Sequence, residues 1–188
     1  VIHFAREPLT DALWDEAMPL LEAHWREIAA FQDIPLEPDF ELYAANQKAG
    51  MLRCFTARAD SEYEIAARSG VAWGGHDSEH RPLVGYALYF VRPNPHYKSS
   101  VQAAQDVIYL DPSVRGGTGY KFIAWCDAQL AAEGVQITYH HIKAKHDFGR
   151  LLERQGYELV DLIYAKRLDT PADSVVASNH AEPMGAAF

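Results

Sequence analysis

The 188-residue sequence predicts an α/β fold, a mixed and mostly antiparallel sheet flanked by helices. Three observations predict it. Apolar runs with strand-like alternation fill the middle of the chain. A glycine-rich loop then separates a buried strand from an apolar-striped helix. Strand, helix and strand follow that helix. The predicted order is α, α, β, β, β, loop, α, β, α, β, with a short first strand at Ile2 to Ala5.

Thr10-Asp11 supplies an N-cap, and Leu13, Ala17, Leu20, Leu21, His24, Trp25 and Ile28 form one apolar helical stripe. Pro19 lies inside it, so the helix either kinks or divides. A loop from Phe31 to Glu37 follows. Pro38 suits a first helical turn, and Phe40, Tyr43, Ala44 and Gln47 continue a second short helix that stops at Gly50.

Met51 to Arg58 alternates like a half-buried strand. Asp60 to Arg81 is polar and glycine-rich, longer than a hairpin needs, and reads as an insertion. Leu83 to Arg92 (LVGYALYFVR) is the clearest strand, ended by Pro93-Asn94-Pro95. The polar HYKSS leads into a buried strand, Asp106 to Leu110, which Asp111-Pro112 stops. A helix from Thr118 to Ala132 is capped by Gly134. Val135 to Ile142 is a strand, Asp147 to Gln155 a short helix ending at Gly156, and Tyr157 to Leu168 a last strand. Residues 1–168 read as one domain. Asp169 to Phe188, rich in Ala, Ser and Pro, reads as a tail.

The net charge of −9 argues against a nucleic-acid partner and suits a cationic substrate such as an amine. No apolar run is long enough to span a membrane, and the first residues lack a signal-peptide plan. Cys54 and Cys126 lie in apolar contexts and read as buried thiols of a reducing compartment, here the cytoplasm.

The chemistry centres on Arg115-Gly116-Gly117-Thr118-Gly119-Tyr120. Glycines let the backbone turn with positive φ and approach a ligand. The helix that follows offers unpaired N–H groups and a positive dipole end. Together they form a nest for a phosphate or pyrophosphate, with Arg115 as a cation at its rim. The segment does not meet the P-loop pattern of nucleotide hydrolases. A dinucleotide fingerprint fails as well, because a β-meander precedes the loop.

Strand, Asp-Pro, Arg-Gly-Gly-Thr-Gly-Tyr and helix resemble the signature segment of the GNAT family of N-acetyltransferases. Arg115 holds the first motif position, Thr118 stands where a glycine is usual, and Tyr120 where a small residue is usual. Gly156-Tyr157 resembles the family's closing Gly-Phe/Tyr. The likeness spans nearly the whole chain to Leu168. Its HYK, IYLDP, RGGTGYKFI and HH segments are similar to acetyltransferase-like proteins of bacteriophages and prophages.

The resemblance implies a splayed central sheet and acetyl-coenzyme A as acyl donor. Arg115, Gly116, Gly117, Thr118, Gly119 and Tyr120 then form the pyrophosphate loop. Backbone of Tyr109 and Leu110 pairs with the pantetheine arm, and His146 stands where an asparagine often touches that arm. Trp25, Phe40 and Tyr43 become candidate walls of an acceptor cleft, although each also reads as core packing. The acceptor is an amine, on a small molecule or a protein, and homodimerisation stays open.

Direct attack of an amine on a thioester needs a base, a polarised carbonyl and a departing thiolate. Asp106 is the candidate base, with solvation or pairing to Lys98 or Arg92 as its plainer reading. The family's acid tyrosine falls at Leu152. Tyr139, His140, His141 and His146 are the possible substitutes. Tyr139 and His141 share one strand face and His140 takes the other, which argues against a shared metal. His76 and His80 sit among glycines and suit a metal no better. The altered motif and Leu152 support a second reading, a GNAT-fold protein that binds a macromolecular partner instead of catalysing.

Overall fold

The computed structural model describes residues 1–60 and 81–169. The chain divides into a unit of Val1–Tyr157 and a second unit beginning at Glu158. In the first unit the strands are β1 (Ile2–Arg6), β2 (Leu52–Ala59), β3 (Leu83–Asn94), β4 (Tyr97–Leu110) and β5 (Ile137–Tyr139). The helices are α1 (Asp11–Ile28), α2 (Phe40–Lys48), α3 (Gly117–Ala132) and α4 (Gly149–Glu153). One sheet runs β1-β2-β3-β4-β5, antiparallel throughout except for the parallel pair β4 and β5.

β3 explains its own sequence. It is central and covered on both faces, so its residues form a continuous apolar run. One face packs Phe55, Ala87, Tyr89 and Leu110 against Phe122, Cys126 and Leu130, the last three from α3. The other packs Cys54, Tyr86, Leu88, Val107 and Tyr109 against Leu13, Trp14 and Ala17 of α1. Gly85 must lack a side chain, because a Cβ there would press on Leu110 and lie 2.7 Å from the Tyr109 carbonyl. Both cysteines are buried thiols. Burial pushes the Cys54 thiol up to about 12.

α1 is a single helix through Pro19, capped by Thr10, whose Oγ1 accepts from Leu13 N at 3.2 Å. α2 is capped by Asp39, whose Oδ1 accepts from Leu42 N at 2.9 Å. Pro38 therefore precedes the cap and does not occupy the first turn. β4 begins at Tyr97, so the polar YKSS expected as a lead-in belongs to the ladder. A hairpin arm can be polar because little covers it. β5 spans three residues where eight were expected. Tyr157 to Leu168 forms no strand: its alternation shows what a strand would bury, and supplies no pairing partner. Side chains of that second unit such as Leu159, Ile163 and Tyr164 are exposed. The expected insertion, apart from its ends, and the tail beyond Asp169 lie outside the described residues.

Candidate active site

The site begins with a defect in β4. Leu88 pairs with Val107 and Tyr89 pairs with Gln105, so Asp106 is the extra residue of a β-bulge. The bulge changes which backbone groups face which neighbour. Asp111 N–H donates to the Val84 carbonyl at 2.8 Å, which makes that opposite pair hydrogen-bonded. Alternation then turns the backbone groups of Tyr109 and Val107 toward β3, and those of Leu110 and Ile108 away from it. The backbone groups of Tyr109, expected beside the cofactor arm, thus face β3, and those of Ile108 and Leu110 face away from it.

On the other side of β4 the sheet opens. The parallel ladder ends with Ala104 opposite Tyr139. Past that point His141 N–H donates to a side chain, Gln105 Oε1, at 3.3 Å. Among the described residues no strand covers Ile108 and Leu110 beyond it.

Asp106 carries the carboxylate at the head of this opening. Tyr43 of α2 donates its phenol to Asp106 Oδ2 at 2.6 Å. Burial first, and the bond to Asp106 second, hold that phenol well above its ordinary range, so it keeps its proton. The Tyr43 ring lies edge-on to Trp14 at 5.2 Å and stacks with Phe90 at 6.1 Å. Phe40 meets Trp14 at 4.9 Å and remains 43% exposed. Phe40 and Tyr43 therefore stand in one aromatic group with Trp14. Trp25 does not: it lines a separate surface cleft with Met18 and Leu36. Trp14 lies outside the apolar stripe read from the sequence, although its place one residue after Leu13 on the same helix is a usable signal.

At the far end of β4 lies the glycine loop. Asp111 Oδ1 accepts from Ser113 N at 2.8 Å and shapes the short turn Pro112–Val114. Gly116 adopts φ +84°, a value that favours glycine, and starts α3 without a side-chain cap. A Cβ at Gly116 or Gly117 would meet nothing within 4 Å, so the backbone faces open space. That space is a cleft of about 640 Å³ lined by Gly116, Gly117, Tyr120, Phe148, Arg150, Leu151 and Arg154. A Cβ at Gly119 would meet the Leu110 and Leu151 side chains at 3.8 Å, an ordinary contact, and Thr118 occupies the first turn. Two arginines of the α4 region therefore border the nest, and nothing in their spacing from the loop announced them.

Arg115 is placed otherwise than expected. Its guanidinium bonds both carboxylate oxygens of Glu27 at 2.8 and 2.9 Å, donates from Nε to the Leu110 carbonyl at 2.9 Å and covers the Tyr109 ring at 5.2 Å. It ties the loop to α1 and leaves the rim charge to Arg150 and Arg154.

No protein-family model and no curated protein matches the sequence. Solved structures do match the fold. A ribosomal-protein-alanine N-acetyltransferase from Brucella melitensis biovar Abortus 2308 is 19% identical, over 89% of this chain and 99% of that one, with a TM-score of 0.58. A predicted acetyltransferase with acetyl-CoA from Clostridium acetobutylicum is 10% identical over 89% and 97%, with a TM-score of 0.58. The aminoglycoside acetyltransferase meta-AAC0020 from an uncultured soil metagenomic sample, in complex with sisomicin, is 14% identical over 88% and 97%, with a TM-score of 0.57. The fold is GNAT-like.

Within this GNAT-like fold the remaining candidates separate. Leu152 is buried where the resemblance implies a proton donor. His140 lies on the α3 side, its ring edge-on to Tyr157 at 5.2 Å, with Nε2 and Tyr89 Oη 3.5 Å apart. Burial, aided by the charge of His141, brings its pKa down to about 4 and keeps it neutral. Tyr139 ends β5, and His141 is exposed just beyond the opening. His146 is exposed at the end of the turn Ala144–His146, which packs against α1. Its neighbour His24, with its ring 5.1 Å from Tyr109, is brought down to about 4 mainly by burial. Among the described residues no three His, Cys, Asp or Glu side chains converge as a metal site.

Proposed function

We propose that the chain is an N-acetyltransferase that moves an acetyl group from acetyl-coenzyme A to a primary amine by direct attack. The observation that carries this reading is the continuous path along β4. It runs from a bulged carboxylate, past an uncovered strand edge, to an unpaired helix start beside two arginines.

The residues present fit the donor. The open space over Gly116 and Gly117 admits a phosphate chain against the backbone, and Arg150 and Arg154 balance its charge. Thr118, Gly119 and Tyr120 complete that first turn. Ile108 and Leu110 offer N–H groups to the amide-bearing arm and its thioester carbonyl. When bound, acetyl-coenzyme A supplies an activated acyl group, so that an N–C bond forms as the C–S bond breaks and the thiol departs.

Asp106 takes the amine proton, directly or through one water. Its Oδ2 is held by Tyr43, and Oδ1 carries no other hydrogen bond among the described residues. Phe40 and Tyr43, backed by the buried Trp14 and by Phe90, wall the acceptor side, where aromatic faces favour a cationic alkylamine. From Ala29 to Gln47 the chain has four acidic residues and no Lys or Arg, which supports the same acceptor class. Tyr139, His141 and His146 are the groups near the opening that could return a proton to the thiolate. A coenzyme A thiolate also leaves without a strong acid.

The test is thiol release from acetyl-coenzyme A across a panel of primary amines, from monoamines to lysine peptides. Asp106→Asn lowers kcat about 10²-fold or more on the amine that turns over. Equal rates for the variant, or no amine-dependent release at all, contradict the proposal. Leu152 supports the second reading, a GNAT-like scaffold that holds a macromolecular partner. A protein that binds coenzyme A yet releases no thiol with any amine would favour it.

A further inference from the structure

From the way the β4–β5 ladder ends, we infer that Gln105 is a positioning residue that sets the opening between β4 and β5. The inference rests on the acetyltransferase reading and concerns how the thioester arm finds its place. β4 and β5 pair as far as Ala104 and Tyr139. Continuing the ladder would bring the two backbones together at the bulge and cover the N–H groups that the arm requires. Instead the next bond from this side of β5, His141 N–H, is taken by the Gln105 side chain at 3.3 Å. A side-chain amide on two methylenes stands where a backbone carbonyl would be. The strands stay joined but held apart by the reach of that side chain.

Three features fit a spacer. Gln105 is one of two buried polar residues in the described core, at 6% exposure, which demands a hydrogen-bonded reason for its presence. It directly precedes Asp106, so the carboxylate and the opening are set by adjacent residues. Its backbone still pairs with Tyr89 on the β3 side, which anchors the spacer to the central strand. A shorter or apolar residue would leave the His141 N–H without its partner and would let β5 shift against β4.

The experiment uses the full chain with Gln105→Met, which keeps length and volume but removes the acceptor, and Gln105→Glu. Burial beside Asp106 favours the neutral carboxyl in the latter, whose carbonyl oxygen still accepts. Binding is measured with acetyl-coenzyme A and with ADP, which carries a diphosphate without the arm. Hydrogen exchange at the His141 amide is followed in parallel. Gln105→Met weakens acetyl-coenzyme A about tenfold, leaves ADP unchanged and exposes the His141 amide to exchange, while Gln105→Glu stays near the native protein on all three. Unchanged acetyl-coenzyme A affinity in Gln105→Met, or an equal loss for both ligands, overturns the inference. If the native protein binds neither ligand, the acetyltransferase reading fails and the arm-positioning role falls with it. A fast His141 amide in Gln105→Met then still identifies the bridge as structural.

Discussion

At the scale of single residues the account turns on two carboxylate partnerships. Glu27 pairs with Arg115, the cation expected at the loop's rim, across 88 positions of sequence. Tyr43 takes one oxygen of Asp106, across 63. Neither partner is visible in a linear reading, because each depends on α1 and α2 folding back over β4. Asp106 itself stands out in the sequence, because a carboxylate beside the apolar run Val107 to Leu110 needs a reason. Removing the Tyr43 hydroxyl leaves the ring packing of Trp14 and Phe90 intact. Tyr43→Phe should therefore keep its melting temperature within a few degrees and lose about tenfold in kcat, with unchanged acetyl-coenzyme A affinity. Steady-state kinetics with both substrates varied, beside a thermal scan, would check this. A fall in affinity for acetyl-coenzyme A in place of kcat would place Tyr43 elsewhere in the site.

At the scale of elements, the meander β2-β3-β4, the glycine loop and α3 follow from alternation, turn residues and helical periodicity. The bulge at Asp106 does not, since one extra residue in an apolar strand leaves no mark in composition. Nor does the end of the β4–β5 ladder, because Gln105 reads as an ordinary polar residue until its bond to His141 is seen. The expected strand after Gly156 failed for a related reason: pattern reports the face a segment could bury and is silent on pairing. The α4 region supplies the nest with Arg150 and Arg154, a partnership set by the return of the chain after β5. Arg150→Ala and Arg154→Ala should each weaken acetyl-coenzyme A about three- to tenfold, and the double variant should show a flatter dependence on salt. Titrations at low and moderate ionic strength would measure both effects. Affinity indifferent to both arginines would remove them from the site.

At the scale of the whole molecule, two half-buried histidines on opposite faces of the sheet make stability depend on acid. His24 and His140 each titrate at about 4 in the fold against 6.5 when unfolded, so the unfolded chain binds more protons between those values. Stability is therefore complete above about pH 7 and is lost as pH falls from about 6.5 toward 4, by about 2 kcal/mol per histidine at pH 5. Urea unfolding at pH 7.5 and pH 5 should show that loss, and His140→Gln should roughly halve it. An acid-insensitive midpoint would contradict the burial of both rings. The same sheet carries the central claim, that β4 leads from a base to a phosphate nest. Calorimetric titration with acetyl-coenzyme A tests it most directly, on the native protein and on Gly117→Glu. A side chain at Gly117 meets only open space, and an acid suits a helix first turn, so the variant folds. Micromolar binding by the native protein, abolished when the carboxylate enters the nest, is the predicted result. Binding that survives the substitution, or no binding by the native protein, would contradict the account.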